Sequence, residues 1–240
     1  MTAPALPPLH LLVVAGGRGL RAAGGGEVPK QFRPTGRGML LRVAVDTFVA
    51  GDPPHPLALA SVTVTAPLAW HRQVVAELAG LRVPLALADA GQTRTASTWN
   101  GLLALEAAAG PGKGDLVAIH DAARPFATAA LLSRLVDAAA ARGGAVPGVP
   151  VHDTIVHSEQ GQARYLARAS LLAVQTPQVF RWEQLREAHA WAAAAHADFT
   201  DDGSLLAARG HLPAIVDGEI GNWKITTEGD WRRAADLLSE

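Results

Sequence analysis

Two hydrophobic patterns alternate along the chain. Short runs of apolar, often β-branched residues are followed by longer stretches rich in Ala and Leu, in which apolar residues recur at helical spacing. Strands that alternate with helices in this way favour a mostly parallel sheet with helices on both faces. In the first part of the chain the predicted strands span residues 9–14, 61–65, 83–88 and 116–120, and the predicted helices span residues 39–49, 67–79, 95–109 and 128–142.

The pattern changes at about residue 151. Residues 151–168 are polar and strand-like around a turn at 159–161, which predicts a β-hairpin arm. Such an arm buries little of its own surface, so it either packs against a second copy of the chain or stays solvated as a flap. Residues 1–150 and 169–240 then form one α/β domain. Its remaining predicted strands span 145–150, 171–176, 212–216 and 222–226, and its remaining helices span 181–195, 204–209 and a closing segment that ends at 238.

Composition excludes several classes of protein. The chain has 240 residues with 49% hydrophobic content, which is enough for a substantial core. Its net charge of −1 and the absence of a long basic block argue against nucleic acid or a membrane surface as a partner. It contains no cysteine, which excludes disulfides and thiolate metal sites. No apolar stretch is long enough to span a membrane and the first residues lack the pattern of an export signal, so we expect a cytoplasmic protein.

A glycine-rich loop follows the first predicted strand directly. Residues 15–31 read Ala-Gly-Gly-Arg-Gly-Leu-Arg-Ala-Ala-Gly-Gly-Gly-Glu-Val-Pro-Lys-Gln. Glycines let backbone N–H groups approach anionic oxygens closely, and a helix start nearby would add its positive end. Arg21 and Lys30 can neutralise the charge that develops during transfer of a phosphoryl group. The loop therefore favours a protein that binds a nucleotide triphosphate.

Three other interpretations of this loop compete with that one. A Walker A loop requires Gly-Lys followed by Ser or Thr, but Gly112-Lys113 is followed by Gly114. A dinucleotide fingerprint could be placed on residues 17–22, but no acidic residue follows at the expected distance of about 20 residues. A flexible surface loop stays open as an alternative, because glycine-rich stretches often have no other role.

Other polar clusters lie where predicted strands end. Asp121 follows a buried strand, where a carboxylate could hold Mg²⁺ against a triphosphate. Arg124 either binds a substrate phosphate or pairs with Asp121. Residues 91–97 offer small polar groups and exposed backbone for the edge of a base, although the same segment could be a loop with a helix cap.

Together these motifs resemble one family, the 2-C-methyl-D-erythritol 4-phosphate cytidylyltransferases. The resemblance covers nearly the whole chain, and the motifs occur in the family's order. They are Ala-Gly-Gly-Arg-Gly-Leu-Arg and Pro-Lys-Gln within 15–31, Gly91…Arg94…Ser97…Asn100-Gly101-Leu102, His-Asp-Ala-Ala-Arg-Pro at 120–125, Val-Pro-Val-His-Asp-Thr-Ile at 149–155, Gln-Thr-Pro-Gln at 175–178, Thr-Asp-Asp at 200–202 and Asn-Trp-Lys-Ile-Thr at 222–226.

The resemblance implies a fold, a reaction and an assembly. The fold would be a Rossmann-like three-layer sandwich of the nucleotide-diphospho-sugar transferase type, with a mostly parallel central sheet and a protruding β-hairpin arm. The reaction would join CTP and methylerythritol phosphate and release pyrophosphate in the non-mevalonate isoprenoid pathway. The protein would be a homodimer in which residues 151–168 of each chain reach into the active site of the other.

Roles for individual residues also follow from the resemblance. Arg21 and Lys30 would stabilise the transition state. Arg168 and Lys224 would position methylerythritol phosphate, with Arg168 and Thr154 supplied by the partner chain. Asp121 would ligate Mg²⁺. The CTP base and ribose would contact Ala15, Gly16, Gly17, Gly91, Gln92 and Ser97, and the substrates would also contact Asp121, Ala122, Arg124, Thr154, Thr176 and Thr200.

The chain departs from the family pattern at a few positions. The spacing from Arg21 to Lys30 is about two residues longer than the family pattern, inside the loop that would cradle the phosphates. The other departures are Val14, Gly16, Gln92, Val156 and Trp223. Two alternatives stay open: a cytidylyltransferase for another polyol phosphate such as ribitol 5-phosphate, and a catalytically silent nucleotide-binding module. The chain ends soon after the last motif, so we expect no fused second activity.

Overall fold

The computed structural model describes residues 6–17, 28–49 and 58–239. The strands are β1 (Leu9–Val14), β2 (Pro34–Thr35), β3 (Gly38–Met39), β4 (Leu59–Ala66), β5 (Leu85–Asp89), β6 (Leu116–Asp121), β7 (Gly144–Pro150), β8 (Val156–Glu159), β9 (Gln162–Tyr165), β10 (Leu172–Val174), β11 (Gln178–Arg181) and β12 (Ala214–Asp217). The helices are α1 (Leu40–Val49), α2 (His71–Glu77), α3 (Arg94–Ala109), α4 (Ala129–Arg142), α5 (Trp182–Ala194), α6 (Asp202–Ala208) and α7 (Glu228–Leu238).

The central sheet confirms the predicted, mostly parallel architecture. Its strand order is β10-β7-β11-β6-β1-β4-β5, and β12 also pairs with β7. The strands β5, β4, β1 and β6 are parallel, while β11 is antiparallel to both of its neighbours. Strand β1 lies inside the sheet between β6 and β4 and is apolar at nearly every position, as expected for a strand covered on both faces.

Helices cover both faces of the sheet. Leu11 and Val13 of β1 point into a core shared with α1, α2 and α4, whereas Leu12 points to the other face, into a core shared with α3, α5 and α6. This alternation follows from the two-residue period of a strand. A smaller core joins α7 to α1 through Ala234 and Leu40. The three layers leave the carboxyl ends of β1, β5 and β6 at one edge of the sheet.

Local signals in the sequence fix several helix boundaries. Thr93 caps α3 by accepting a hydrogen bond from the N–H of Ala96, and Thr128 caps α4 in the same way. Gly143 ends α4 with a φ of 88°, a conformation that favours glycine. Helices α3 and α4 therefore begin and end within one residue of the predicted bounds.

Predictions of secondary structure were wrong at three places. The predicted strand at 222–226 is irregular, because its backbone makes one bond to the neighbouring loop, from Ile225 N–H to the carbonyl of Ala123 at 2.9 Å. The antiparallel strand β11 was not predicted, because Gln178 ends the Gln-Thr-Pro-Gln motif and the predicted helix begins at Arg181, which leaves only two residues between them. The segment predicted as one helix at 67–79 divides into a 3₁₀ turn at Leu68–Trp70 followed by α2.

The predicted hairpin is present in the structure. Strands β8 and β9 pair with each other, and every residue in them is exposed. Gln160 and Gly161 turn the hairpin with φ values of 49° and 81°, as in the tight turns that match strand twist. Its role in forming a dimer stays a prediction.

Candidate active site

A cavity of about 480 Å³ opens at the carboxyl ends of β1, β5 and β6. Most of the residues proposed to contact CTP line it, although they come from distant parts of the sequence. Arg21 lies outside the described residues. The lining residues are Val14, Ala15, Gly16, Gly17, Lys30, Gln31, Gly91, Gln92, Thr93, Arg94, Ser97, Asp121, Ala122, Ala123, Lys224 and Thr226.

The side chain of Gln31 holds the loop after β1 in place. This buried side chain donates hydrogen bonds to the carbonyls of Ala15 at 2.8 Å and Gly17 at 2.7 Å. At Gly16, a Cβ atom would lie 2.7 Å from Cβ of Ala90 and 2.9 Å from Oγ of Ser97. The loops after β1 and β5 therefore touch, and glycine is required at position 16 for this close approach.

The loop after β5 leads into the N-terminus of α3. Ser97 Oγ accepts a hydrogen bond from Gly91 N–H at 3.0 Å and donates one to the carbonyl of Thr93 at 2.8 Å. Backbone N–H groups at the start of a helix carry partial positive charge and suit an anionic or polar ligand. The start of α3 therefore forms one wall of the cavity.

Asp121 lies at the end of β6 between two cations. Its Oδ2 is 2.6 Å from Nζ of Lys224, and its Oδ1 is 3.3 Å from Nε of Arg94. Burial by itself would raise the pKa of the Asp121 carboxyl, but the charges of Arg94 and Lys224 outweigh it and hold the pKa well below its usual range. Asp121 is therefore ionised at neutral pH.

Arg94 lines both cavities, although the sequence predicted no role for it. Besides Asp121 it contacts Asp202, with 2.7 Å between Nη1 and Oδ2. One signal could have identified it: Arg94 is the first residue of α3, where a positive charge opposes the helix dipole. Its pairing with residues 27 and 108 positions later could not be read from the sequence.

A second cavity of about 260 Å³ adjoins the first. Three side chains, those of Arg94, Asp121 and Lys224, line both cavities and so form the wall between them. The other residues around the second cavity are Arg124, Val174, Gln175, Thr176, Gln178, Thr200 and Asp201.

A chain of hydrogen bonds fixes the base of the second cavity. Thr176 Oγ accepts from the N–H of Asp121 at 3.0 Å and lies 3.3 Å from Nδ1 of His120, whose Nε2 is 2.9 Å from the carbonyl of Arg124. A carbonyl can only accept, so Nε2 carries the proton and Nδ1 accepts from Thr176. Burial lowers the pKa of His120 to about 4, so the ring is neutral at pH 7.

Two predicted site residues lie outside both cavities. Arg168 and Thr154 are both exposed on the segment that carries the hairpin, and neither lines a cavity. Arg168 donates a hydrogen bond to the carbonyl of His152 at 2.7 Å. Among the residues that the structure describes, no cluster of three or more His, Cys, Asp or Glu could by itself hold a metal ion.

A glycine-rich edge, a helix N-terminus and converging cations at the carboxyl ends of parallel strands define a nucleotide-binding α/β protein. The sequence profile of the 2-C-methyl-D-erythritol 4-phosphate cytidylyltransferase (IspD) family matches residues 9–240. The chain belongs to this family.

Similar curated proteins include larger enzymes. The bifunctional enzyme IspD/IspF of Rhodopseudomonas palustris (strain BisA53) is 41% identical over 233 residues, which cover 95% of this chain and 55% of the relative. That of Nitrobacter hamburgensis is 41% identical over 231 residues, covering 95% and 54%. The chain thus spans about half the length of these relatives.

Solved structures agree on the fold. The 2-C-methyl-D-erythritol 4-phosphate cytidylyltransferase of Thermus thermophilus is 34% identical with a TM-score of 0.72, covering 95% of this chain and 96% of its own. The bifunctional IspDF of Campylobacter jejuni has a TM-score of 0.74 at 23% identity, covering 94% of this chain and 54% of its own. No helix in the described ranges is long and apolar enough to cross a membrane.

Proposed function

We propose that the chain transfers CMP from CTP to 2-C-methyl-D-erythritol 4-phosphate, giving 4-diphosphocytidyl-2-C-methyl-D-erythritol and pyrophosphate in isoprenoid precursor synthesis. The observation that carries the proposal is the pair of adjoining cavities that share one charged wall. A transfer between two substrates needs two compartments whose contents meet. The larger cavity would hold CTP and the smaller one the acceptor.

The chemistry requires alignment more than covalent help from the protein. A phosphate oxygen of the acceptor attacks the α-phosphorus of CTP, a new P–O bond forms, and the bond to the bridging oxygen breaks as pyrophosphate leaves. Positioning and cations near the equatorial and leaving oxygens accelerate such a step. Lys30, which borders the larger cavity and donates a hydrogen bond to the carbonyl of Ile225, would supply one of these charges together with Arg21.

The loops around the larger cavity would hold the nucleoside. Backbone groups of Ala15, Gly16, Gly17 and Gly91 can approach the base and ribose closely, and Gln92 and Ser97 offer polar side chains. In the smaller cavity, Arg124, Thr176 and Thr200 would bind the hydroxyl groups or the phosphate of the acceptor. Lys224 is 40% exposed and faces both cavities, so its ammonium group could direct the attacking phosphate.

Asp121 suits a divalent cation such as Mg²⁺. It is an ionised carboxylate in the wall between the cavities, and Mg²⁺ usually binds one or two carboxylates together with substrate phosphates. When bound, Mg²⁺ would neutralise charge on the triphosphate. Asp121 would then exchange part of its contact with Lys224 for the ion.

We further propose that the protein acts as a homodimer. Arg168 and Thr154 lie outside both cavities of their own chain, and a second copy could bring them to the site. The exposed apolar side chains near the hairpin support this, since Tyr165 is 73% exposed and Leu172 and Val174 of the edge strand β10 are 45% and 42% exposed. The cytoplasmic location stays a prediction of the sequence.

Pyrophosphate release by the purified protein tests the proposal. The reaction would contain Mg²⁺, CTP and methylerythritol phosphate, with ribitol 5-phosphate and the other nucleoside triphosphates run in parallel. Release that requires both CTP and methylerythritol phosphate supports the full proposal. Release with CTP and ribitol 5-phosphate, but not with CTP and methylerythritol phosphate, would assign a different acceptor. CTP binding without any release would indicate a silent module.

A further inference from the structure

Arg94 lies between two carboxylates that differ in their surroundings. On one side is Asp121, which borders both cavities, at 3.3 Å from Nε. On the other side is Asp202, at 2.7 Å from Nη1, which lines neither cavity and is 1% exposed. One edge of the guanidinium is therefore anchored in the protein interior while the other faces the candidate site.

A second buried side chain, His189, contacts Asp202. Oδ1 of Asp202 accepts a hydrogen bond from Nε2 of His189 in α5 at 3.0 Å, and the His189 side chain is also 1% exposed. A buried carboxylate is stable where its oxygens are paired. The contacts thus connect the core to the site in three steps: His189 contacts Asp202, Asp202 contacts Arg94, and Arg94 contacts Asp121.

Arg94, anchored in this way, holds the Asp121 carboxylate more rigidly than Lys224 can. Lys224 also pairs with Asp121, but it is long, flexible and 40% exposed, and in the proposed reaction it follows the acceptor. A guanidinium is a planar fork, so anchoring one edge on Asp202 fixes the direction of Nε. The orientation of the Asp121 carboxylate then depends on Arg94 whenever Lys224 moves.

We propose that Arg94 is a positioning residue: anchored on Asp202 and His189, it holds the Asp121 carboxylate in the orientation needed to meet a divalent cation and the triphosphate. This inference rests on the proposed function and names a residue of the same site. A purely structural alternative is that Arg94 only neutralises the buried charge of Asp202.

A pair of variants separates these two roles. Arg94→Gln alone leaves Asp202 buried without its cation, so we expect a lower unfolding midpoint. Arg94→Gln combined with Asp202→Asn removes both charges and keeps an oxygen for His189, so much of the midpoint should return. If Arg94 positions Asp121, the double variant at saturating Mg²⁺ still turns over about tenfold or more slowly than the unmodified chain, while its KM for CTP changes little.

Calorimetry provides a readout that does not depend on turnover. CTP is titrated into the protein without acceptor at several Mg²⁺ concentrations, and the double variant should need several-fold more Mg²⁺ to reach the same affinity. Arg94→Lys keeps the charge but not the planar fork, so its Mg²⁺ requirement should lie between those of the unmodified chain and the double variant. Arg186→Gln is the control, because it removes an ion pair with Glu106 of the same helix as Arg94, outside both cavities.

The outcomes distinguish the two proposals. A folded double variant with unchanged turnover and unchanged Mg²⁺ dependence of CTP binding would overturn the positioning role. An unmodified chain that binds CTP with Mg²⁺ but releases no pyrophosphate would refute the proposed function, and calorimetry would still decide the role of Arg94.

Discussion

Nζ of Lys224 lies 2.6 Å from Oδ2 of Asp121, although the two residues are 103 positions apart in the sequence. The contact joins the end of a buried parallel strand to the irregular segment before α7. It also closes the wall between the two cavities. Because Asp121 retains Arg94 as a second cation, Lys224 can leave it for a substrate phosphate without stranding a buried charge.

Replacing Lys224 should therefore impair catalysis more than folding. For Lys224→Gln we expect kcat/KM for the acceptor to fall about 10²–10³-fold, the usual loss when one preorganised charge-stabilising donor is removed. The unfolding midpoint should stay near that of the unmodified chain, since Arg94 still neutralises Asp121. Steady-state kinetics and thermal unfolding measure the two quantities.

Lys113→Gln is the matched control for that variant. The chain contains three lysines, and Lys113 is an exposed one in the loop before β6, at the opposite end of the sheet from the cavities. It should retain full turnover. A Lys224→Gln protein as active as Lys113→Gln would show that Lys224 does not direct the acceptor.

Much of this site could be anticipated because parallel strands bring their carboxyl ends to one edge of a sheet. The family resemblance implied that residues after β1 and β5 contact CTP and that Asp121 at the end of β6 binds Mg²⁺, and residues from these three places line one cavity. Arg94 was missed because its partners are chosen by tertiary packing. Residues 222–226 alternate like a strand, yet the buried side chain of Asn222 donates to the carbonyl of Thr176 at 2.8 Å and ties the segment to a loop instead of a ladder.

The close contact at Gly16 leads to a prediction about the nucleotide loop. A methyl group there would come within 2.7 Å of Cβ of Ala90, so the two loops must separate. For Gly16→Ala we expect a loss of about 1–3 kcal/mol of unfolding free energy and weaker CTP binding. Urea unfolding and calorimetry provide the measurements.

Gly17→Ala is the stability control for this variant, because no atom of the described residues other than Gly17 and its chain neighbours lies within 4 Å of the added methyl group. Its unfolding free energy should match that of the unmodified chain. Equal stability of Gly16→Ala and Gly17→Ala would mean that the two loops do not touch in solution.

The start of α7 gives a prediction about acid stability. Asp230 accepts hydrogen bonds from the N–H groups of Thr226 and Thr227 at 2.8 and 2.7 Å. Desolvation opposes ionisation, but these bonds outweigh it and lower the pKa of Asp230 to about 2. A carboxyl with a lowered folded pKa stabilises the protein above its unfolded pKa, and this stabilisation disappears as the pH falls from about 4 towards 2.

Asp230→Asn should therefore cost about 1 kcal/mol at pH 7, the usual size of a helix capping interaction, and progressively less below about pH 4. Urea unfolding of both proteins at pH 7 and below about pH 4 measures this difference in unfolding free energy. Asp236→Asn removes a charge from the other end of α7, where a negative charge opposes the helix dipole, so it should not destabilise. A pH-independent difference between Asp230→Asn and the unmodified chain would contradict the argument.

The position of Arg168 outside both cavities leads to a test of the proposed dimer. Arg168→Ala and Lys30→Ala chains should each be nearly inactive as homodimers, because every site then lacks one group. In a heterodimer of the two, one site receives Lys30 from its own chain and Arg168 from the other, and the second site lacks both. A heterodimer isolated with two different affinity tags should therefore recover about half of the turnover of the unmodified dimer. Absence of recovery in such a heterodimer, with both chains folded, would place Arg168 in the site of its own chain or outside the reaction altogether.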